Sequence, residues 1–142
     1  MYLDPTDANV RHLLERQITG PIAMLNLLRL RDVAEYSGHP DLAPSEAISG
    51  RAAYQRYIDH TEPFLTASGG SVLLLGTGGH NFIGPLDERW DIVMVVQQAS
   101  LDDFFAFAGN EGYLAGLGHR VAAVEDSRLL PLVLNGATSG QT

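Results

Sequence analysis

The sequence predicts an α+β domain in which strands and helices alternate around one antiparallel sheet. Three observations carry that prediction. Arg89-Trp90-Asp91-Ile92-Val93-Met94-Val95-Val96 is a strand-like run, apolar at both parities, and Ser100-Leu101-Asp102-Asp103-Phe104-Phe105 behind it opens a capped helix. A near copy of that strand-then-helix plan occurs once earlier, from Pro21 onward. The length, 142 residues, suits one domain that buries a core without metal or disulfide staples.

Residues 6–18 have helical spacing, with Val10, Leu13, Leu14 and Ile18 on one side and Thr6 as N-cap. Gly20-Pro21 ends that helix and opens Ile22-Ala23-Met24-Leu25-Asn26-Leu27-Leu28, the first strand. Residues 32–50 carry Gly38, Pro40, Pro44 and Gly50 and read as a polar loop. A helix over 51–67 follows, its inner stripe formed by Tyr54, Tyr57, Ile58, Thr61 and Leu65 at three- and four-residue steps. Ser68-Gly69-Gly70 is a helix stop and turn. The second strand is Ser71–Leu75, loosened at its far end by Gly76-Thr77-Gly78-Gly79, where glycines suggest a bulge or bend. Gly84-Pro85-Leu86-Asp87 makes the turn into the third strand, 90–97. Ser100 and Asp103 form a capping box, Asn110-Glu111-Gly112 breaks the helix they start, and further helix is expected over 113–125. Leu129–Leu134 is the last strand, with Pro131 favouring a sheet edge or bulge.

Without the first helix and the loop the order is β-α-β-β-α-β, the ferredoxin-like arrangement with helices on one face of the sheet. The expected organisation is a helical extension at 1–20, the ferredoxin-like domain at 21–135 and a flexible tail at 136–142. Helices hide one face only, yet the first three strands are apolar on both parities. A chain this short has no further layer to spare. A second copy is therefore the expected cover, through a two-fold contact of sheet on sheet, and a homodimer is predicted.

Composition narrows the function. Nine basic against 17 acidic residues leave a net charge of −8, with no basic stripe, which argues against a nucleic-acid partner. The absence of cysteine removes thiolate nucleophiles, iron–sulfur ligation and Cys-based zinc sites. No apolar run approaches the roughly 20 residues of a membrane helix, and Met1-Tyr2-Leu3-Asp4-Pro5-Thr6-Asp7 has no basic or apolar region of a secretory signal. A soluble cytoplasmic protein with no membrane partner is expected.

The run Pro21–Arg29, with Ala53-Tyr54-Gln55-Arg56-Tyr57, the Gly69-Gly70 turn, Gly84-Pro85, Glu88-Arg89-Trp90-Asp91, Tyr113, Arg120 and Ala123–Leu129, resembles the family catalogued as domain of unknown function 1330. The resemblance spans about residues 20–134. It implies the dimeric α+β barrel, in which two ferredoxin-like sheets face each other. The chain departs from the family where an aromatic residue and proline usually precede the capping serine; here Gln97-Gln98-Ala99 stands before Ser100.

Among residues able to carry chemistry, Asn26 is the sharpest, an amide set among apolar neighbours that either holds a ligand carbonyl or satisfies a backbone group. Tyr54, Tyr57 and Trp90 are core aromatics or the lining of a ligand pocket. Arg120, on an otherwise apolar segment, either pairs with a neighbouring carboxylate or binds a ligand oxyanion. His80 follows a strand and glycines, at the rim of a cavity or on the surface. The five histidines, His12, His39, His60, His80 and His119, show no metal-ligand spacing, and neither metal nor cofactor is expected. Gly76–Gly79 lacks the lysine and helix of a phosphate loop.

Two function classes follow. One is a cofactor-free enzyme or ligand-handling protein for small carboxylated or aromatic compounds. Asn26, His80 and Arg120 would then be catalytic, with His80 as base, and Tyr54, Tyr57 and Trp90 would bind the ligand. It draws on fold-level analogy with barrels that include monooxygenases and isomerases. The other is a non-catalytic binding or stress-associated dimeric module, in which the same residues serve packing and assembly.

Overall fold

A computed structural model of the chain describes residues 1–135. The expected flexible tail, 136–142, lies outside them. The elements are α1 (Asp7–Glu15), β1 (Ile22–Leu30), a single 3-10 turn (Pro40–Leu42), α2 (Gly50–Ala67), β2 (Ser71–His80), β3 (Arg89–Gln98), α3 (Leu101–Ala108), α4 (Glu111–Leu114), α5 (Leu117–Ala123) and β4 (Val124–Leu132). All strand pairs are antiparallel, in the order β2-β3-β1-β4. This is the predicted ferredoxin-like α+β architecture.

The Thr6 cap forms as the sequence suggests, and Ser49, not singled out there, caps α2. Thr6 and Asn9 form a reciprocal capping box on α1, and the Ser49 hydroxyl accepts from the Ala52 amide at the head of α2. Only half of the expected box forms at α3. Ser100 Oγ accepts from the Asp103 amide, but the Asp103 carboxylate accepts from the Ser100 hydroxyl rather than from its backbone.

Three boundaries differ from expectation. β2 runs unbroken through the glycines to His80, and its register shift falls between Val72 and Leu74 instead. Gly78 stands so close to the Trp90 carbonyl that a Cβ would collide with it, so this glycine lets two strands approach rather than bend one. The helix expected over 113–125 is two pieces, α4 and α5, the second ending at Ala123. β4 then begins at Val124, five residues before the predicted Leu129. Glu125, Asp126, Ser127 and Arg128 have no strand-like pattern, but each polar group is partnered. Arg29 Nε donates to Glu125 (3.2 Å), and the Tyr2 amide and Arg128 Nη1 both donate to Asp126 (2.8 Å each). Pairing with β1 through Arg29↔Asp126 and Leu28↔Ser127 holds these residues extended.

Register sorts the side chains by face. Leu28, Ile92 and Met94 pack with Ala53, Tyr54, Tyr57, Tyr113, Ala122 and Val124 into the core beneath α2 and α5. The alternate residues Leu25, Leu27, Val93 and Val95, with Leu74 and Leu130 beside them, lie on the opposite face. Among the described residues no helix packs there: Leu74 and Leu130 are 51% and 52% exposed. The N-terminal segment instead follows the β4 edge. The Ser127 amide donates to the Tyr2 carbonyl at one end, and Arg16 donates to the Pro131 carbonyl at the other. Pro131 is thus on an edge strand, as its missing N–H requires. Gln98, two residues before the capping Ser100, is fully buried, and its Nε2 donates to Ser68 Oγ at the end of α2 (3.3 Å).

Asp126 anchors the N-terminus to β4. Burial pushes its carboxyl up, but donation from the Tyr2 amide, Arg128 and the Ser127 amide outweighs that and holds it below the ordinary aspartate value. Because the folded value is depressed, the stabilisation is complete above the unfolded carboxyl's value, about 4, and fades as pH falls through the folded one. Asp126→Ala is expected to lower stability by about 1–3 kcal/mol at neutral pH. Its loss of stability in acid should also be shallower than that of the unaltered chain, as measured by urea unfolding at a series of pH values.

Candidate functional site

Residues 51, 54, 55 and 58 share one face of α2, and the structure sets that face against the edge of the sheet. Between them lies a cleft of about 340 Å³, lined by Arg51, Tyr54, Gln55 and Ile58 from the helix, Leu75, Gly76 and Thr77 from β2, and Ile92 from β3. Its size falls within the range of small-ligand sites. Its floor is apolar, from Ile58, Leu75 and Ile92. Its polar groups are a guanidinium, an amide and a hydroxyl. Arg51 makes one long bond, from Nη2 to the Asp91 carbonyl (3.4 Å), and Gln55 Nε2 donates to Asp59 (2.9 Å).

A second hollow, about 370 Å³, is lined by Leu30, Arg31, Asp32, Val33, Glu35, Arg89 and Glu125. Charges of both signs alternate there and several neutralise one another, as in Arg29–Glu125 and Arg89–Asp91 at 3.2 Å each. It has little apolar surface to hold a ligand.

The six residues singled out in the sequence are not gathered into one cavity. Tyr54 and Tyr57 come together in the core, and the part-buried Arg120 lies close enough for its charge to be felt by both. The Tyr54 and Tyr57 rings are 5.3 Å apart, and the Tyr57 and Tyr113 hydroxyls share a hydrogen bond of 2.8 Å. Burial pushes the Tyr54 and Tyr57 phenols well above the ordinary tyrosine value, and neighbouring Tyr113 adds to it, while the Arg120 cation acts in the opposite sense. The Arg120 guanidinium donates to the Leu3 carbonyl (3.2 Å) and Ser127 Oγ (3.3 Å), tying α5 to the N-terminal segment and β4; among the described residues no carboxylate is its partner. Asn26 Nδ2 donates to the Met24 carbonyl (3.1 Å) and more weakly to that of Met94 (3.5 Å), so half of its amide is spent on the sheet itself. His80 is exposed at the end of β2, its Nδ1 on the Leu86 carbonyl (2.9 Å). Trp90 is buried, with the Arg128 guanidinium 5.1 Å over its ring. Of the six, Tyr54 alone lines the cleft.

The other histidines serve the loop and helices. Tyr36 Oη and His119 Nδ1 lie 2.7 Å apart, His39 packs on Gly118, and His60 Nε2 meets the Gly112 carbonyl (2.8 Å). Burial, with Arg56 and His60 nearby, lowers the His119 value and favours its neutral ring. Among the described residues no group of three or more His, Asp or Glu is placed to hold a metal, and no helix is long and apolar enough to cross a membrane.

Arg51, Gln55 and Thr77 were not singled out by the sequence. The available signal was the i, i+3, i+4, i+7 series 51-54-55-58, a helix face mixing polar and apolar groups, which a search for buried stripes passes over.

Comparison with known proteins places this geometry in a family. A crystal structure of the RPA0582 protein of Rhodopseudomonas palustris, a protein of unknown function, matches at 36% identity and a TM-score of 0.76, covering 91% of this chain and 93% of that one. The chain belongs to the RPA0582 family. The methylated form of RPA0582 matches at 34% identity and a TM-score of 0.81, over 96% of this chain and 98% of that one. SnoaB, a cofactor-independent oxygenase from Streptomyces nogalater, shares the fold at 11% identity and a TM-score of 0.54, over 85% of this chain and 99% of that one. No family model and no curated protein matches the sequence.

The buried phenol pair gives a test of packing against function. Tyr57→Phe or Tyr113→Phe alone should cost about 1–3 kcal/mol, since each strands the other hydroxyl. The double variant should cost less than the two singles together, a coupling of at least about 0.5 kcal/mol in urea unfolding.

Proposed function

We propose that this chain is a ligand-handling protein for small carboxylated aromatic compounds, bound in the cleft between α2 and β2 of a homodimer. The observation that carries the reading is the make-up of that cleft. One guanidinium with unused donors stands at the rim of an apolar floor broad enough for a single ring. Arg51 would take the carboxylate, Gln55 and Thr77 would orient it, and Ile58, Leu75 and Ile92 would hold the ring beside Tyr54.

Catalysis without a cofactor is the finer reading of the same site. The fold shared with SnoaB supports it by analogy only. The cleft itself favours recognition, because its lining supplies donors and no imidazole or carboxylate to take a proton. Asn26, His80 and Arg120 would act only if a second copy reshaped their surroundings.

The resemblance to the domain of unknown function 1330 family supports the dimeric form of this fold, and so does the open sheet face. Wild-type protein at micromolar concentration is expected to scatter light as a dimer. A monomer under those conditions would remove the assembly from the proposal. Benzoate and hydroxybenzoates should raise the melting temperature. Arg51→Ala should weaken apparent affinity about threefold to fivefold while leaving the melting temperature of the free protein within a degree or so. Equal shifts in both proteins would locate the ligand elsewhere.

A further inference from the structure

Beyond Leu28↔Ile92, the last pair that β3 makes with β1, β2 and β3 continue together as a two-stranded ribbon through Gly79↔Trp90 and His80↔Arg89. The turn at its end, residues 81–88, is tightly built. His80 Nδ1 meets the Leu86 carbonyl, the Glu88 amide donates to the Pro85 carbonyl (3.3 Å), and Asn81 Nδ2 donates to Glu88 (3.1 Å). Gly84 has φ +150°, and a side chain there would strike Asn81. This self-bonded turn presents Phe82, Ile83 and Leu86 to solvent at 102%, 90% and 81% exposure. Single exposed apolar residues are ordinary, but three on one rigid tip are not. Val72, Leu73, Leu74 and Leu75, toward the other end of β2, are exposed as well.

We infer that the β2–β3 ribbon is a clasp that grips a second copy of this chain, an inference that rests on the homodimer proposed above. Area supports this occupant. A stable interface needs about 800 Å² from each partner. On the open sheet face Leu74 and Leu130 are only half exposed and Leu25, Leu27, Val93 and Val95 less so, so these apolar side chains offer on the order of 300–400 Å², about half of the requirement. Phe82, Ile83 and Leu86 would add on the order of 100–200 Å² each, enough to close the gap. Charge argues against an anionic lipid surface as the alternative. Asp87 and Glu88 flank the tip, and the chain carries −8 overall.

The test is Phe82→Asp with Ile83→Asp, both at positions exposed enough to leave the protomer's fold intact, as unchanged circular dichroism would verify. Sedimentation across 0.1–100 μM, an order-of-magnitude span of ordinary dimer affinities, is expected to show the dissociation constant raised at least tenfold. In a chain without cysteine, a fluorophore on Ile83→Cys should shift to the blue as concentration rises through the wild-type constant. If the wild type is dimeric and the double variant dimerises equally well, the clasp is overturned while the sheet-to-sheet dimer stands, and Leu130→Asp should then weaken it alone. A wild type monomeric throughout overturns both. Pelleting of the wild type with phosphatidylglycerol vesicles, lost in the variant with dimerisation unchanged, overturns the clasp in favour of lipid.

Discussion

A four-stranded sheet has two faces, and in this chain one layer of helices meets two apolar faces. α2 and α5 bury Leu28, Ile92 and Met94 on one side. On the other, Leu25, Leu27, Val93 and Val95 shelter only beside one another, with Leu74 and Leu130 half exposed. Apolar area in contact with water costs roughly 25 cal/mol per Å², so the uncovered face is a standing drive toward association. The N-terminal segment does not relieve it, because the bonds of Tyr2 and Arg16 to β4 hold that segment along an edge.

The two edges are consequently unlike. β4 is guarded by the N-terminal segment and by Pro131, and its charged start is neutralised by Arg29, Arg128 and the Tyr2 amide. Among the described residues β2 has no such guard. Every residue in it except Gly76 is exposed, and the helix layer stops short of it. That shortfall creates the cleft. The face of α2 carrying Arg51, Tyr54, Gln55 and Ile58 reaches toward a strand it does not cover, leaving a space bounded by Leu75, Gly76 and Thr77. Cleft and ribbon thus both follow from a β2 edge that the helix layer does not reach, while the open face is the opposite side of the sheet.

Much of this was legible in the sequence because it rests on periodicity and caps. The two-parity runs at Ile22–Leu28 and Ile92–Val96 and the stripe from Tyr54 to Leu65 announced the strands, the helix and the buried side. The start of β4 was not legible, since Glu125 to Arg128 become strand only through partners as distant as Tyr2 and Arg29. The tyrosines were visible as an inner stripe, but the bond from Tyr57 to Tyr113 on a separate short helix was not. The cleft was hidden for the opposite reason. Its polar residues are exposed on a helix and have no motif, and they gain meaning only when β2 comes to lie across from them.

Electrostatics limits what the cleft can recognise. A chain at −8 repels an anion at long range, but at physiological ionic strength the Debye length is about 8 Å, so only nearby charges are felt inside the cleft. There Arg51 is the lining cation, while Asp59, bonded to Gln55, stands one turn away with the opposite sign. An exposed guanidinium–carboxylate pair contributes about 1 kcal/mol or less. A small carboxylate without a ring would therefore be held weakly. Affinity must come from the apolar floor of Ile58, Leu75 and Ile92, where burying a ring is worth about 2–3 kcal/mol, with Arg51 fixing which end of the molecule faces out. That division of labour ties ligand binding to β2, because Leu75 is floor for the ligand and part of the same exposed strand that leads into the ribbon.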